Sequence, residues 1–286
     1  MLRNIVVGVD GSSSGRKALE WAVDAATEEV HAVHATLPAL ELLAAVFQVD
    51  SGPLTKRLTS QLENVWTADL QPGNTKTFTH LVEDSPVAAL MSIADTCNAD
   101  AIAVGERGQS SPSSSKMVGA TVSHLTHLSS LPTVVVPSIT QIGNRDRPEV
   151  IVIGVTGNQQ DDAELVSWAC RAAHDSNTRV DLVSSNGAHR STPRQTKKNA
   201  GFDPLDLNQI DAWLERQHYS NPCHLVAVDD DPITALIDAS QQAALIVVGS
   251  HRSSRLAAYL TGALANHLPS VSQCPVAIVP LTARRP

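Results

Sequence analysis

The residues of this chain best suited to chemistry lie in Ala103-Val104-Gly105-Glu106-Arg107-Gly108 and, after a serine-rich run, in Gly119-Ala120-Thr121. The apolar run Ala101 to Val104 ends in a glycine, and a second glycine three residues later opens the loop. Glycines let a backbone approach a phosphate closely, and serines supply hydroxyl donors. After Gly119, Val122, Leu125 and Leu128 recur at helical spacing, so the far end of the loop delivers backbone N–H groups at a helix N-terminus. Such an end holds unpaired donors and the positive pole of the helix dipole, which suits an anion such as phosphate. A plain surface loop has the same composition, and both readings stand at this point.

The same construction returns as Leu245-Ile246-Val247-Val248-Gly249-Ser250-His251-Arg252 and, after nine residues, Gly262-Ala263-Leu264. Val6-Val7-Gly8-Val9-Asp10-Gly11 is matched by Val152-Ile153-Gly154-Val155-Thr156-Gly157, and Pro132-Thr133-Val134-Val135-Val136-Pro137 by Pro275-Val276-Ala277-Ile278-Val279-Pro280. Three markers repeated in order mean two copies of one domain. We place them at 1–143 and 144–286, joined by a linker from Pro137 to Pro148.

The elements that position these residues alternate between strand and helix. In the first half the spacing predicts strands at Ile5–Val9, Val30–Thr36, Thr75–Val82, Ala101–Val104 and Thr133–Val136. Helices are expected through Ala18, Leu19, Ala22, Val23 and Ala26, through Leu54, Leu58, Leu62, Val65, Trp66 and Leu70, and through Val87, Leu90, Met91 and Ala94. Ser85 is the expected N-cap of the third helix, with Pro86 at its first position. Pro38 to Pro53 is an irregular insert. The second half repeats the order with strands Val150–Val155, Arg179–Ser184, His224–Val228, Leu245–Val248 and Val276–Val279. Its helices are Ala163–Ala173, Leu205–Leu214 and Pro232–Ser240, and Pro193 to Gly201 is a polar loop. Such alternation predicts a doubly wound α/β fold, whose ligands bind beyond the carboxyl ends of the strands where strand order reverses. Asp10 and Gly105 both fall on that edge.

Composition narrows the class. At 42% hydrophobic and 17% charged, the chain has the apolar content for globular cores. No apolar run approaches the ~20 residues that cross a bilayer, and Met1-Leu2-Arg3-Asn4 leads directly into a strand, so a cytoplasmic protein is expected. The formal net charge of −8 argues against nucleic-acid or anionic-membrane partners, which need a basic face. Cys97, Cys170, Cys223 and Cys274 form no CxxC pair and read as reduced thiols.

On these residues the chain resembles tandem universal stress proteins. Nucleotide-binding members of that family carry a Val-Gly-Val-Asp-Gly-Ser start and a Gly-x2-Gly-x9-Gly-Ser/Thr signature after the fourth strand. The resemblance runs from Ile5 to Pro280. It implies two tandem flavodoxin-like (Rossmann-like) open parallel five-stranded sheets with helices on both faces, packed as an internal pseudo-dimer through their fifth strands. It also implies ATP as the ligand, with Mg²⁺ as an optional companion. Carried over position by position, Val9, Asp10, Ala35, Val104, Gly105, Arg107, Gly108, Gly119, Ala120 and Thr121 would line the site, Asp10 matching the family's acidic residue near ribose and phosphate. Two departures stand out: ten residues rather than nine separate Gly108 from Gly119, and Ala120 replaces the expected hydroxyl.

The second half departs further, with Thr156 in place of the acid, Arg252 in place of the second glycine and Ala263 in place of the hydroxyl. It reads as a degenerate, structural copy. His124 and His127 share a helix face without a third ligand, so no metal site is expected. No nucleophile elbow or paired base appears, and no enzymatic activity is expected. Two functions remain: an adenine-nucleotide-binding regulator of stress response or dormancy, or a module that binds no nucleotide and presents its surface to a protein partner. Because each terminal strand would otherwise leave an apolar edge, residues 1–143 expressed alone should form a dimer or aggregate on size-exclusion chromatography. A well-behaved monomer would contradict the pseudo-dimer.

Overall fold

A computed structural model describes residues 1–36, 52–68, 70, 75–109, 118–140, 150–155, 158–173, 178–185, 221–228, 231–251 and 267–281. The core of the Pro38 to Pro53 insert, the serine loop with Pro112, Thr156, the polar loop Pro193 to Gly201, the expected helix Leu205–Leu214, Arg252, Gly262 and Ala263 lie outside the described residues. The chain divides into two compact units, Met1–Gly143 and Asn144–Pro286.

The first unit runs β1 (Leu2–Gly8), α1 (Ser13–Ala25), β2 (Ala26–Thr36), α2 (Gly52–Gln61), a π-helical turn (Leu62–Trp66), β3 (Lys76–Glu83), α3 (Pro86–Thr96), β4 (Ala101–Gly105), α4 (Ala120–Leu128) and β5 (Thr133–Val136). Its strands are all parallel, in the order β3-β2-β1-β4-β5. Strand order therefore reverses between β1 and β4, where a crevice opens beyond their carboxyl ends. Ile5, Val6 and Val7 are fully buried, as are Ala101, Ile102 and Ala103, because helices cover both sheet faces. α1 packs on β4, β1 and β5, whereas α3 packs on β2 and β1 and against α4.

The second unit runs β6 (Val150–Gly154), α5 (Gln159–Ala172), β7 (Arg179–Ser185), β8 (Cys223–Val228), α6 (Pro232–Ala239), β9 (Leu245–His251) and β10 (Val276–Leu281). Its strand order, β10-β9-β6-β7-β8, is the same topology. The repeat extends to register: Gly8 pairs with Val104 in one unit and Gly154 with Val248 in the other. Ser85 and Asp231 cap α3 and α6, each followed by proline. All four cysteines are free thiols, and burial pushes the Cys170 thiol up to about 11.

Several expected packing faces differ. Of the face expected along α2 and beyond, Leu62 is buried, whereas Leu54 and Val65 are 41% and 60% exposed. The π turn is the physical reason for Val65, since a wider turn breaks the 3.6-residue phase. Ala26 is the C-cap of α1 and opens β2. In α3, Ala89 joins Leu90 and Ala94 in the core while Val87 and Met91 are half-buried. In α4, Thr126 completes the buried face and Leu128 is exposed.

The two outer strands of the first sheet, β2 and β3, share a short histidine chain. The Glu29 carboxylate accepts from His31 Nε2 at 3.2 Å, which leaves His31 Nδ1 to accept from His80 Nε2 at 2.9 Å, and His31 stacks on Phe78. Burial, and next the neighbouring His31, hold the His80 pKa below its ordinary 6.5. The folded state thus binds fewer protons at His80 than the unfolded chain, so this contribution to stability is present above pH 6.5 and lost as pH falls through the lowered folded value. The urea midpoint should fall between pH 7 and pH 5, and His80→Gln should flatten that slope. An unchanged slope would contradict the assignment.

Candidate functional site

The site is built from two turns that meet at the switch point. Beyond β1, the Val9 N–H still donates to Val33 O at 2.9 Å, which carries the backbone on to Asp10. The chain then turns at Gly11, whose φ of +81° favours glycine, and whose missing Cβ leaves room for the Trp66 indole. Ser12 is the N-cap of α1 and accepts from the Gly15 N–H at 3.1 Å. The second turn follows β4, where Glu106 N–H donates to Val136 O and Gly119 N–H to Glu106 O, fixing the start of α4. Gly119 caps α4 without a side-chain acceptor, so the first N–H groups of that helix have no side-chain cap.

Side chains of the first turn hold the second. Asp10 accepts from Ser12 N–H at 3.0 Å and Ser12 Oγ at 2.6 Å through one oxygen, and from Gln109 N–H at 2.7 Å through the other. Ser14 Oγ donates to the Arg107 carbonyl at 2.5 Å. The glycines of the motif make this approach possible. A Cβ on Gly105 would lie 2.5 Å from Ser14 C and 2.6 Å from Gly15 N, both backbone atoms, and a Cβ on Gly108 would lie 2.7 Å from Asp10 Oδ2. The close approach at Gly105 is thus to α1. Gly119 is different, its nearest atom standing 3.6 Å from a Cβ.

Between the turns lies a cleft of about 340 Å³. All ten residues singled out from the sequence line it: Val9, Asp10, Ala35, Val104, Gly105, Arg107, Gly108, Gly119, Ala120 and Thr121. Thr121 brings a hydroxyl-bearing residue one position after Ala120. Sequence reasoning missed Ser12, His34, Pro86 and Leu90, which also line the cleft. His34 could have been suspected from its place beside Ala35. Its Nδ1–H donates to Val9 O at 2.8 Å and its ring meets Trp66 edge-on. The cleft is lined by groups at the starts of α1 and α4 and by the apolar side chains of Val33, Ala35, Leu90 and Val122. Among the described residues no group of three or more His, Cys, Asp or Glu is placed to hold a metal.

The second unit differs at the matching helix. α1 has no acid in its first turn, whereas α5 carries Asp161 and Asp162, 6% and 1% exposed. Counting from the N-caps Ser12 and Asn158, Asp161 takes the place of Gly15. A carboxylate at a helix N-terminus satisfies the dipole that would otherwise draw an external anion. A Cβ on Gly249 would meet Leu281 at 2.4 Å and Leu165 at 3.6 Å, so side chains stand where the first unit has helix backbone.

A profile of the universal stress protein family matches residues 1–137 and again residues 148–280. The chain belongs to that family. A universal stress protein of Mycobacterium tuberculosis is 25% identical to it over 297 residues, spanning 96% of each chain. The crystal structure of a universal stress protein from Archaeoglobus fulgidus superposes with a TM-score of 0.66 at 14% identity, covering 97% of this chain and 96% of its own. That of a putative universal stress protein from Pseudomonas aeruginosa gives 0.55 at 11% identity, covering 98% and 93%. Both agree with the flavodoxin-like α/β fold of the two units. No helix among the described residues of this universal stress protein is long and apolar enough to cross a membrane.

The glycine contacts separate packing from ligand roles. Gly105→Ala should destabilise the first unit by roughly 1–3 kcal/mol through overpacking, while Gly119→Ala, with no close neighbour, should cost only the weaker N-cap preference of alanine, about 0.5 kcal/mol. Urea denaturation of both variants checks this, and equal effects would contradict it.

Proposed function

We propose that the first unit of this universal stress protein binds an adenine nucleotide, ATP, as a regulatory ligand, and that the second unit supports the first without binding one. The observation that carries this reading is the convergence of every motif-matched residue on one cleft whose lining is part polar and part apolar. The apolar lining, Val33, Ala35, Leu90 and Val122, suits a base. The start of α4, which has no side-chain cap, offers its N–H groups to phosphates. Asp10 lines the same cleft, so a divalent cation such as Mg²⁺ would ease the meeting of carboxylate and phosphate.

The role is binding, without a catalytic step, in the cytoplasm, and its output passes to a protein partner. A second reading, a protein-interaction module that binds no nucleotide, draws on Ala120 and on the donors that already engage both Asp10 oxygens. Titration calorimetry with ATP and Mg²⁺ separates the two. Wild-type protein should bind, and Gly108→Arg should weaken binding more than tenfold, or about 1.4 kcal/mol, because its side chain starts against Asp10 Oδ2 and must displace it or fill the cleft. Wild-type affinity in the variant, or no binding in either protein, would overturn the nucleotide reading.

A further inference from the structure

We infer that Ser14, a buried residue that does not line the cleft, is a positioning residue that sets the orientation of the Arg107–Gly108 peptide for an anion. The inference rests on the nucleotide reading above for the identity of the anion. Ser14 is 3% exposed and occupies the second position of α1. Its hydroxyl does not cap the helix, since Ser12 does that. It donates instead to the Arg107 carbonyl, to which Ser12 Oγ adds a longer contact at 3.4 Å.

A trans peptide is planar, with its C=O and N–H pointing in opposite directions. Anchoring the Arg107 oxygen on α1 therefore turns the Gly108 N–H away from α1. Away from α1 lies the start of α4: the Gly108 nitrogen is 3.7 Å from the position that a Cβ on Gly119 would take. The Gly108 N–H thus joins the start of α4 as a donor lining the cleft. With the peptide flipped, a carbonyl oxygen would face the start of α4 and repel a phosphate. Gly108 carries no side chain to oppose a flip, and glycine accepts either backbone conformation. The Ser14 hydroxyl and the Asp10 carboxylate, which holds the next N–H at Gln109, are what select one orientation.

The test is Ser14→Ala in the full chain, with ATP and adenosine as probes and amide hydrogen exchange of residues 105–109 in the ligand-free protein. The variant should exchange its Gln109 amide, which Asp10 holds, at least tenfold faster and bind ATP about tenfold more weakly. Adenosine, which lacks phosphate, should bind within twofold of wild type, a split that a general loss of structure would not produce. Unchanged exchange at Gln109, ATP affinity within twofold of wild type, or equal weakening of ATP and adenosine would each overturn the role of Ser14. If wild-type protein binds neither probe, the nucleotide reading fails on its own, and the exchange comparison still decides whether Ser14 orders the peptide.

Discussion

The backbone of α1 meets the end of β4 at Gly105 so closely that no side chain fits between them. The rest of the site depends on that approach. It brings the Ser14 hydroxyl to the Arg107 carbonyl and places Asp10 within reach of the Gln109 N–H. The loop after β4 is therefore held by the turn after β1, and the switch-point crevice gains a wall ordered by the fold. Packing and site geometry are one constraint here, because the contact that closes the core also aims the loop. A preset loop costs less ordering entropy on binding than a mobile one.

The two units separate scaffold from chemistry. Strand order, register and the packing of Gly8 and Gly154 against Leu90 and Leu236 recur in both. The charge at the first helix does not. Gly15 leaves the first turn of α1 without a charge, whereas buried Asp161 and Asp162 place two carboxylates in the first turn of α5. Acids in the first turn of a helix are favoured by the helix dipole. The second unit keeps the apolar pattern that builds the sheet and carries two acids in a first turn where the first unit has none.

Much of this was legible in the sequence. β-branched runs ending in glycine marked the strand ends of both units, and the Val-Gly-Val-Asp-Gly start and spaced glycines marked the residues that line the cleft. Helix faces were less legible, because 3.6-residue periodicity assumes a regular helix and the π turn at Leu62–Trp66 breaks it. The contacts that hold the loop after β4 to the turn after β1 were not legible either. Ser12 and Ser14 lie in a run of serines and glycines, and their contacts with Arg107 span more than ninety residues of sequence. The tight packing of Gly105 was illegible for the same reason, since its close neighbour is a helix backbone brought there by the fold. Asp161 could have been noticed, because it falls where the first copy has Gly15.

The proposed nucleotide site is single and lies in the first unit, between the turns after β1 and β4. Amide hydrogen exchange of the full chain with and without Mg²⁺-ATP is the decisive test. Slowed exchange is expected at residues 8–12, 104–109 and 119–122, with residues 150–155 and 245–251 unchanged. Protection appearing equally in the second unit, or no protection in either, would contradict it.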